Sequence, residues 1–397
     1  MFNFNKVEFL VGKKIPKKLS LEPFHPLVCN FLDDLSKSLL KSPDIKKYSD
    51  LATFAFYARK KNLSRVQNSL NDNFIRKGIG VVLHISPSNV PINFAYSFLF
   101  SLISGNSNIV RVPSRNFLQV KIICKHLNKI FSKTKYNILK KSNLFIRYKK
   151  DIEINKRLSL FSDGRMIWGG DKTVEEFKNY NTKIKSSDIF FNDKYSISLI
   201  NSDELLKIQN STYLDRLIEN FYNDTLLIDQ NACSSPHLIL WKGKNCSRAQ
   251  NLFWKNFLEY SEKKYKLEDI AISDKFTQYS KDLMQNKNID RIINYNNYLF
   301  RAKLKKLPSA VSDLRGKWGY FYEANFNRYA DLKKIFNNKF QTVSYYGFKK
   351  DDLMNFVRKN EIQGVDRIVP IGSAMDIGMI WDGYNIKNNL TRIIDVR

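Results

Sequence analysis

The stretch "GVVLHISPSNVPINFAYSFLFSLISGNSNIVRVPSRN", residues 80 to 116, decides the fold. The apolar run from Ile79 to Ile85 has the form of a buried strand, and Pro87 and Pro91 end it in a tight loop. An apolar helix over 92 to 104 follows, too short for the about 20 residues that a bilayer requires. Gly105 turns the chain into a second strand, 108 to 112. Strand, helix and strand within about 30 residues make a βαβ unit.

The alternation continues outward. "NLFIRY" (143 to 148), "GRMIWGG" (164 to 170) and "KYSISLI" (194 to 200) have the pattern of strands, and "DIEINKRLSLF" and "DKTVEEFKNY" that of helices, the second with Asp171 placed to cap it. This is α/β: an open, mostly parallel sheet that binds nucleotides at the carboxyl ends of its strands. Four segments are expected: a helical preface over 1–70, a nucleotide-binding α/β domain over 71–228, a second α/β domain over 229–345, and a return segment over 346–397 that completes a site or an oligomer contact.

A chain of 397 residues supports two or three cores, and 43% hydrophobic residues with 14% aromatics excludes a disordered chain. The net charge of +28 is open to nucleic acid, a membrane surface or small anionic ligands, or to no specific partner at all. Its lysines are spread along the whole length, however, and form no nucleic-acid motif, so no nucleic-acid partner is expected. The four cysteines, at 29, 124, 233 and 246, give neither a disulfide framework nor a paired metal knuckle. The N-terminus lacks the pattern of a signal peptide, and no run spans a membrane. A soluble, cytoplasmic protein with reduced thiols and no metal is expected.

Three short stretches could carry chemistry. In "WGGD" (168 to 171) two glycines form an ordinary tight turn or let backbone N–H groups approach a phosphate. Asn89 in "SPSNVP" is a turn former or a fixed amide donor. Cys233 in "DQNACSSPHL" (229 to 238) lies among small polar residues, unlike Cys29 and Cys124 in helical apolar patterns, and is a small hydrophobe, a nucleophile or, with His237 but no second Cys or His pair nearby, a metal ligand. His237, four residues on, is a packed polar side chain or an aid to thiolate formation.

Taken together, "GVVLHISPSNVPINFAYSFLFSLISGNSNIVRVPSRN", "IWGGDKTV", "DQNACSSPHL" and "QGVDRIVPIGSAMDIGMIWDGY" resemble, in order over about residues 75 to 397, the acyl-CoA reductases of the LuxC family, and more distantly the aldehyde dehydrogenase superfamily. The resemblance implies an aldehyde dehydrogenase-like fold. It also implies NADPH-dependent reduction of a long-chain fatty acyl-CoA to the aldehyde, of the kind that supplies bacterial luminescence. Cys233 would be the nucleophile that carries the acyl group as a thioester, and Asn89 would donate to the oxyanion. Gly169 and Gly170 match the turn near the cofactor pyrophosphate, and Arg111, Ser114 and Arg115 fall in the segment near the adenosine ribose. Arg115 stands where the superfamily often has an acid, and a cation there favours a 2′-phosphate. A homo-oligomer and an acyl-transferring synthetase partner are implied likewise.

One departure bears on the reaction. Oxidising aldehyde dehydrogenases activate water with a glutamate in an "ELGG"-like segment, where this chain reads "DIFFNDKYSISLI" with Phe190 and Phe191 near the expected position. A reductase has no use for that base. Reduction of an acyl phosphate is the alternative within the superfamily, and a basic binding protein without turnover is the alternative outside it.

Overall fold

Apolar strands alternating with amphipathic helices build two α/β units in the computed structural model, which describes residues 6–88 and 90–397. One unit comprises Met1–Asn192 with Met379–Arg397, the other Asp193–Gly378. The strands of the first are β1 (Glu8–Val11), β2 (Ile75–Gly78), β3 (Val81–Ile85), β4 (Ser107–Arg111), β5 (Asn143–Arg147), β6 (Gly164–Trp168) and β7 (Ser187–Phe191). Six of them form one sheet in the order β1-β5-β4-β3-β6-β7. Only β1, at the edge, runs antiparallel.

From β3 the chain steps outward to β4 and β5, then crosses back beyond β3 to β6 and β7. The reversal places a switch point between β3 and β6, the position where, in sheets of this kind, the loops at the carboxyl ends diverge to leave a crevice. The helix Asn93–Ile103 joins β3 to β4 and is buried from Phe94 to Ile103, which is why its sequence is apolar all round. The helix Leu118–Phe131 buries a single stripe, Val120, Ile123, Cys124, Leu127, Ile130 and Phe131.

The helices of the preface, Pro26–Leu40, Ser49–Tyr57 and Lys60–Ser69, belong to this unit. Phe31 stacks on Phe131 with ring centres 4.6 Å apart, and Phe54 meets Tyr96 edge-on at 5.2 Å. Three strands of this unit, the short β1, β2 and β7, escape the sequence pattern.

The second unit holds β8 (Tyr195–Asn201), β9 (Pro236–Lys242), β10 (Ile289–Tyr295), β11 (Leu299–Leu304), β12 (Tyr320–Asn325), β13 (Phe340–Tyr346) and β14 (Arg367–Pro370). They form one sheet in the order β10-β11-β12-β9-β8-β13-β14, parallel except for the β10–β11 hairpin. The sequence puts the first boundary after residue 228, but the contacts put it after Asn192, because β8 pairs with β9 on one side and β13 on the other. One face of the sheet buries Ile239, Trp241 and Phe321 against Phe221, Phe253, Trp254 and Phe257. Between β11 and β12 the buried pair Arg301–Glu323 (2.8 Å) is completed by the Trp254 indole N–H, 2.9 Å from Glu323 Oε2.

The return segment divides. Residues up to Gly378 stay with the second unit, whereas the hairpin β15 (Ile380–Trp381) and β16 (Tyr384–Asn385), and β17 (Thr391–Ile394) antiparallel to β2, join the first. Among the described residues, no helix is long and apolar enough to cross a membrane.

Candidate active site

Cys233 sits in the loop that enters β9, at the amino-terminal end of the second sheet. After the helix Thr212–Asp224 and a short turn, Asp229 and Gln230 both adopt φ of 58°, a left-handed conformation that costs residues bearing a Cβ about 1–2 kcal/mol each. The loop is held there by long-range hydrogen bonds. The buried Gln230 amide donates to the carbonyls of Pro236 (3.1 Å) and Tyr320 (3.2 Å), and its Oε1 accepts from Gly319 N–H at 3.2 Å. Ser196 Oγ donates to the Cys233 carbonyl at 2.6 Å, and Ser235 Oγ to the Asp224 carbonyl at 2.8 Å.

Asp224 also reaches the segment after β14. Its buried carboxylate accepts from Gly372 N–H (2.6 Å) and Ala374 N–H (3.0 Å), while burial pushes its pKa up to about 7. Ser234 Oγ lies 3.4 Å from Met375 Sδ. The loop bearing Cys233 and residues 372–375 are therefore fastened to each other.

Cys233 is half-buried, whereas Cys29, Cys124 and Cys246 are buried. Burial raises the thiols of Cys29 and Cys124, the latter to about 12, so neither supplies thiolate at neutral pH. His237 is a packed polar side chain. Its Nδ1 donates to the Gly316 carbonyl at 2.9 Å, its ring stacks on Tyr195, and burial lowers its pKa to about 3, with Arg315 adding to the effect.

The other sequence candidates lie in the first unit, at the ends of β3, β4 and β6. Asn89 follows β3 and lies outside the described residues. Gly169 donates its N–H to the Phe191 carbonyl at 3.1 Å, and a Cβ on it would sit 2.9 Å from Thr173 Cβ. A Cβ on Gly170 would meet nothing within 4 Å. Gly170, rather than Asp171, is the N-cap of the helix Asp171–Lys178. Asp171 is its first residue, and its carboxylate accepts from Asn192 at 3.2 Å instead of capping the helix.

Arg111 lies over the Tyr148 ring at 4.7 Å and donates from Nη2 to the Tyr148 carbonyl, and its buried Nε has no partner among the described residues. Ser114 and Arg115 are exposed beyond β4, with Arg115 against Phe117. The open space at Gly170, the orphaned Nε and the exposed cation fit a phosphate-bearing dinucleotide at this crevice.

A buried chain supports the crevice. Trp168 Nε1–H donates to Ser97 Oγ (3.0 Å), and Ser97 Oγ lies 2.7 Å from His84 Nδ1. His84 Nε2 lies 2.9 Å from Asn108 Oδ1, and Asn108 Nδ2 donates to Asn143 Oδ1 at 2.7 Å. Because the Asn108 amide is spent on Asn143, its oxygen faces His84. His84 therefore carries its proton on Nε2 and accepts from Ser97 on Nδ1. Burial keeps the ring neutral, with a pKa of about 4. The chain fixes Trp168, immediately before Gly169, and Trp168 in turn stacks on Phe191 at 3.6 Å.

Phe190 pairs with Ile167 across β6 and β7, with the cations of Arg165 and Lys178 at 5.8 and 5.4 Å from its ring centre. The nearby Asp188 is bonded to Arg165 at 2.5 Å. Sequence reasoning missed Asp224, Gln230, Ser196 and His84. Each acts through partners distant in the chain, and only the buried placement of a His or an Asp marks it.

Residues 63–252 match the family model of acyl-CoA reductase (LuxC). No curated protein matches the sequence. Among solved structures, lactaldehyde dehydrogenase from Escherichia coli is similar at a TM-score of 0.65 and 10% identity, over 93% of this chain and 87% of that one. An NAD-dependent aldehyde dehydrogenase from Sinorhizobium meliloti gives a TM-score of 0.64 and 11% identity over 93% and 81%. An indole-3-acetaldehyde dehydrogenase in complex with NAD+ gives 0.63 and 10% over 94% and 81%. Residues 63–252 are thus similar to the LuxC acyl-CoA reductases, in a chain whose fold is that of the aldehyde dehydrogenases.

Proposed function

We propose that the protein reduces an acyl-CoA, of the long-chain fatty class, to the aldehyde through a thioacyl enzyme on Cys233. The observation that carries this reading is the placement of Cys233, the one cysteine that is not buried, in a loop clamped by Gln230, Ser196 and Asp224. The Cys233 thiolate attacks the thioester carbonyl, the C–S bond to CoA breaks, and CoA leaves as the thiolate. One thiolate replaces another, so positioning matters more than driving force. Asn89 is assigned the amide that donates to the oxyanion.

NADPH, when bound, would supply hydride to the thioester carbon; Cys233 would hold the resulting thiohemiacetal, whose collapse releases the aldehyde and restores the Cys233 thiolate. Gly169, Gly170, Arg111, Ser114 and Arg115 would hold its phosphates and ribose, with Arg115 favouring the 2′-phosphate. The apolar Phe190 leaves that position without a base to activate water, which favours reduction over hydrolysis. A homo-oligomer working in the cytoplasm beside an acyl-transferring synthetase completes the proposal.

The test is incubation with acyl-CoA and no cofactor, followed by intact mass and peptide mapping. One acyl group on Cys233 in the wild type and none in Cys233→Ala is the expected result, and an unmodified wild-type protein overturns the mechanism. NADPH oxidation with acyl-CoA set against acyl phosphate separates the two donors.

A further inference from the structure

We infer that a cavity between the helix Asp269–Gln285 and the loop over 315–320 is an anion subsite that takes a phosphate group. The cavity measures about 170 Å³. That is below the roughly 300 Å³ at which pockets begin to hold drug-sized ligands, so it suits a single group rather than a whole cofactor. Three of its lining residues are cationic, Lys275, Arg315 and Lys317.

Lys275 carries the argument. It is 1% exposed, and its ammonium has three donors, of which one meets the Asn297 carbonyl in the β10–β11 turn. No ion pair among the described residues includes it. Its ammonium also lies 5.5 Å from the centre of the Phe300 ring, and burial lowers its pKa to about 8. A buried cation without a counter-charge is stabilised by gaining an anion. Lys317, beside it, is exposed and likewise in no ion pair, while Arg315 is bonded to Asp193 at 3.0 Å. The one carboxylate of the lining, Asp274, accepts from the Trp318 indole at 3.3 Å. With Arg315 held by Asp193, Lys275 and Lys317 against Asp274 still leave this small space with an excess of positive charge, which favours a compact anion.

The wall of the cavity is bonded to the Cys233 loop. Trp318 N–H donates to the Asp229 carbonyl at 3.3 Å, and Gly319 N–H to Gln230 Oε1 at 3.2 Å. An anion that orders the loop over 315–320 thereby also steadies the two left-handed residues ahead of Cys233. If the proposed function holds, the CoA moiety supplies such a group; free phosphate is the other source.

Calorimetric titration without cofactor tests the subsite, with inorganic phosphate, CoA, dephospho-CoA and pantetheine as probes on the wild type, Lys275→Met and Lys317→Glu. Phosphate should bind the wild type, about tenfold more weakly to Lys317→Glu, and not measurably to Lys275→Met. A parallel loss for CoA assigns the group to the substrate, and its retention in dephospho-CoA points to the diphosphate. A loss confined to inorganic phosphate assigns the site to the free ion. Phosphate binding that is equal in all three proteins, or absent from the wild type, overturns the inference. Lys317 is exposed, so its variant keeps the test valid if Lys275→Met fails to fold. No turnover is needed, so a missing thioester on Cys233 and a missing phosphate site are separate outcomes.

Discussion

The crevice at Gly169 and the loop at Cys233 solve the same problem, a tightly shaped backbone beside a strand end, in opposite ways. At the crevice, glycine does it: no side chain stands at Gly170, and the tight contact of Gly169 with Thr173 leaves no room for one. At Cys233 the left-handed turn is imposed on Asp229 and Gln230, and contacts from β8, β9, β12, the helix ending at Asp224 and residues 372–375 keep it there. The first loop is local and tolerates change in its surroundings. The second is strained and depends on being over-determined.

That dependence should appear first at Asp224. Its folded-state pKa is raised from 3.8 to about 7, so between those values the folded chain holds a proton that the unfolded chain has lost. The stability from this group is present in full below pH 3.8 and is lost as the pH rises to about 7, a decline of roughly 4 kcal/mol. Asp224→Asn cannot ionise and should flatten that part of the curve in urea unfolding between pH 4 and 8. Parallel curves for variant and wild type would show that the carboxyl is not buried as described. Gln230→Ala leaves two carbonyls and one N–H without their partner, and should cost about 3 kcal/mol. It should also speed alkylation of Cys233 by iodoacetamide, whereas an unchanged rate would mean that the loop is held by other contacts.

The same contrast explains what the sequence shows and what it hides. The strands β3 to β6 and the crevice are legible because apolar runs end in Pro87, Pro91, Gly169 and Gly170, whose backbone preferences act within a few residues. The boundary at Asn192 is not legible, because β8 has the same apolar pattern in either sheet and is claimed by β9 and β13 through pairing across the chain. Cys233 stands out by its polar neighbours, yet the side chains that shape its loop carry no local mark. Gln230 has nothing in its flanking residues to announce a left-handed backbone, and Asp224 reads as one more polar residue near a helix end.

Ser97 tests whether the crevice is as local as its glycines suggest. Ser97→Ala removes the acceptor of the Trp168 indole and the donor to His84 Nδ1, both buried, and should cost about 2 kcal/mol in urea unfolding. If the crevice depends on its glycines alone, the affinity for NADPH measured by nicotinamide fluorescence stays within twofold of wild type. A tenfold loss at retained fold would make the buried chain part of the binding site, and the two loops less different than they look.

The smallest effect on stability, and the sharpest test of the glycine turn, comes from the paired variants Gly169→Ala and Gly170→Ala. At Gly169 the new methyl would lie 2.9 Å from Thr173 Cβ, so the turn or the start of the helix must shift, at about 1 kcal/mol or more. At Gly170 the methyl meets nothing within 4 Å and the backbone stands at φ −67°, so the fold should lose under about 0.5 kcal/mol. The methyl nonetheless fills the space through which the proposed cofactor's phosphate would approach the backbone, and affinity for NADPH should fall about tenfold. Stability and affinity therefore move in opposite order across two adjacent residues. If Gly170→Ala binds NADPH as the wild type does, the phosphate does not approach at this turn, and the cofactor assignment of Gly169 and Gly170 falls with it.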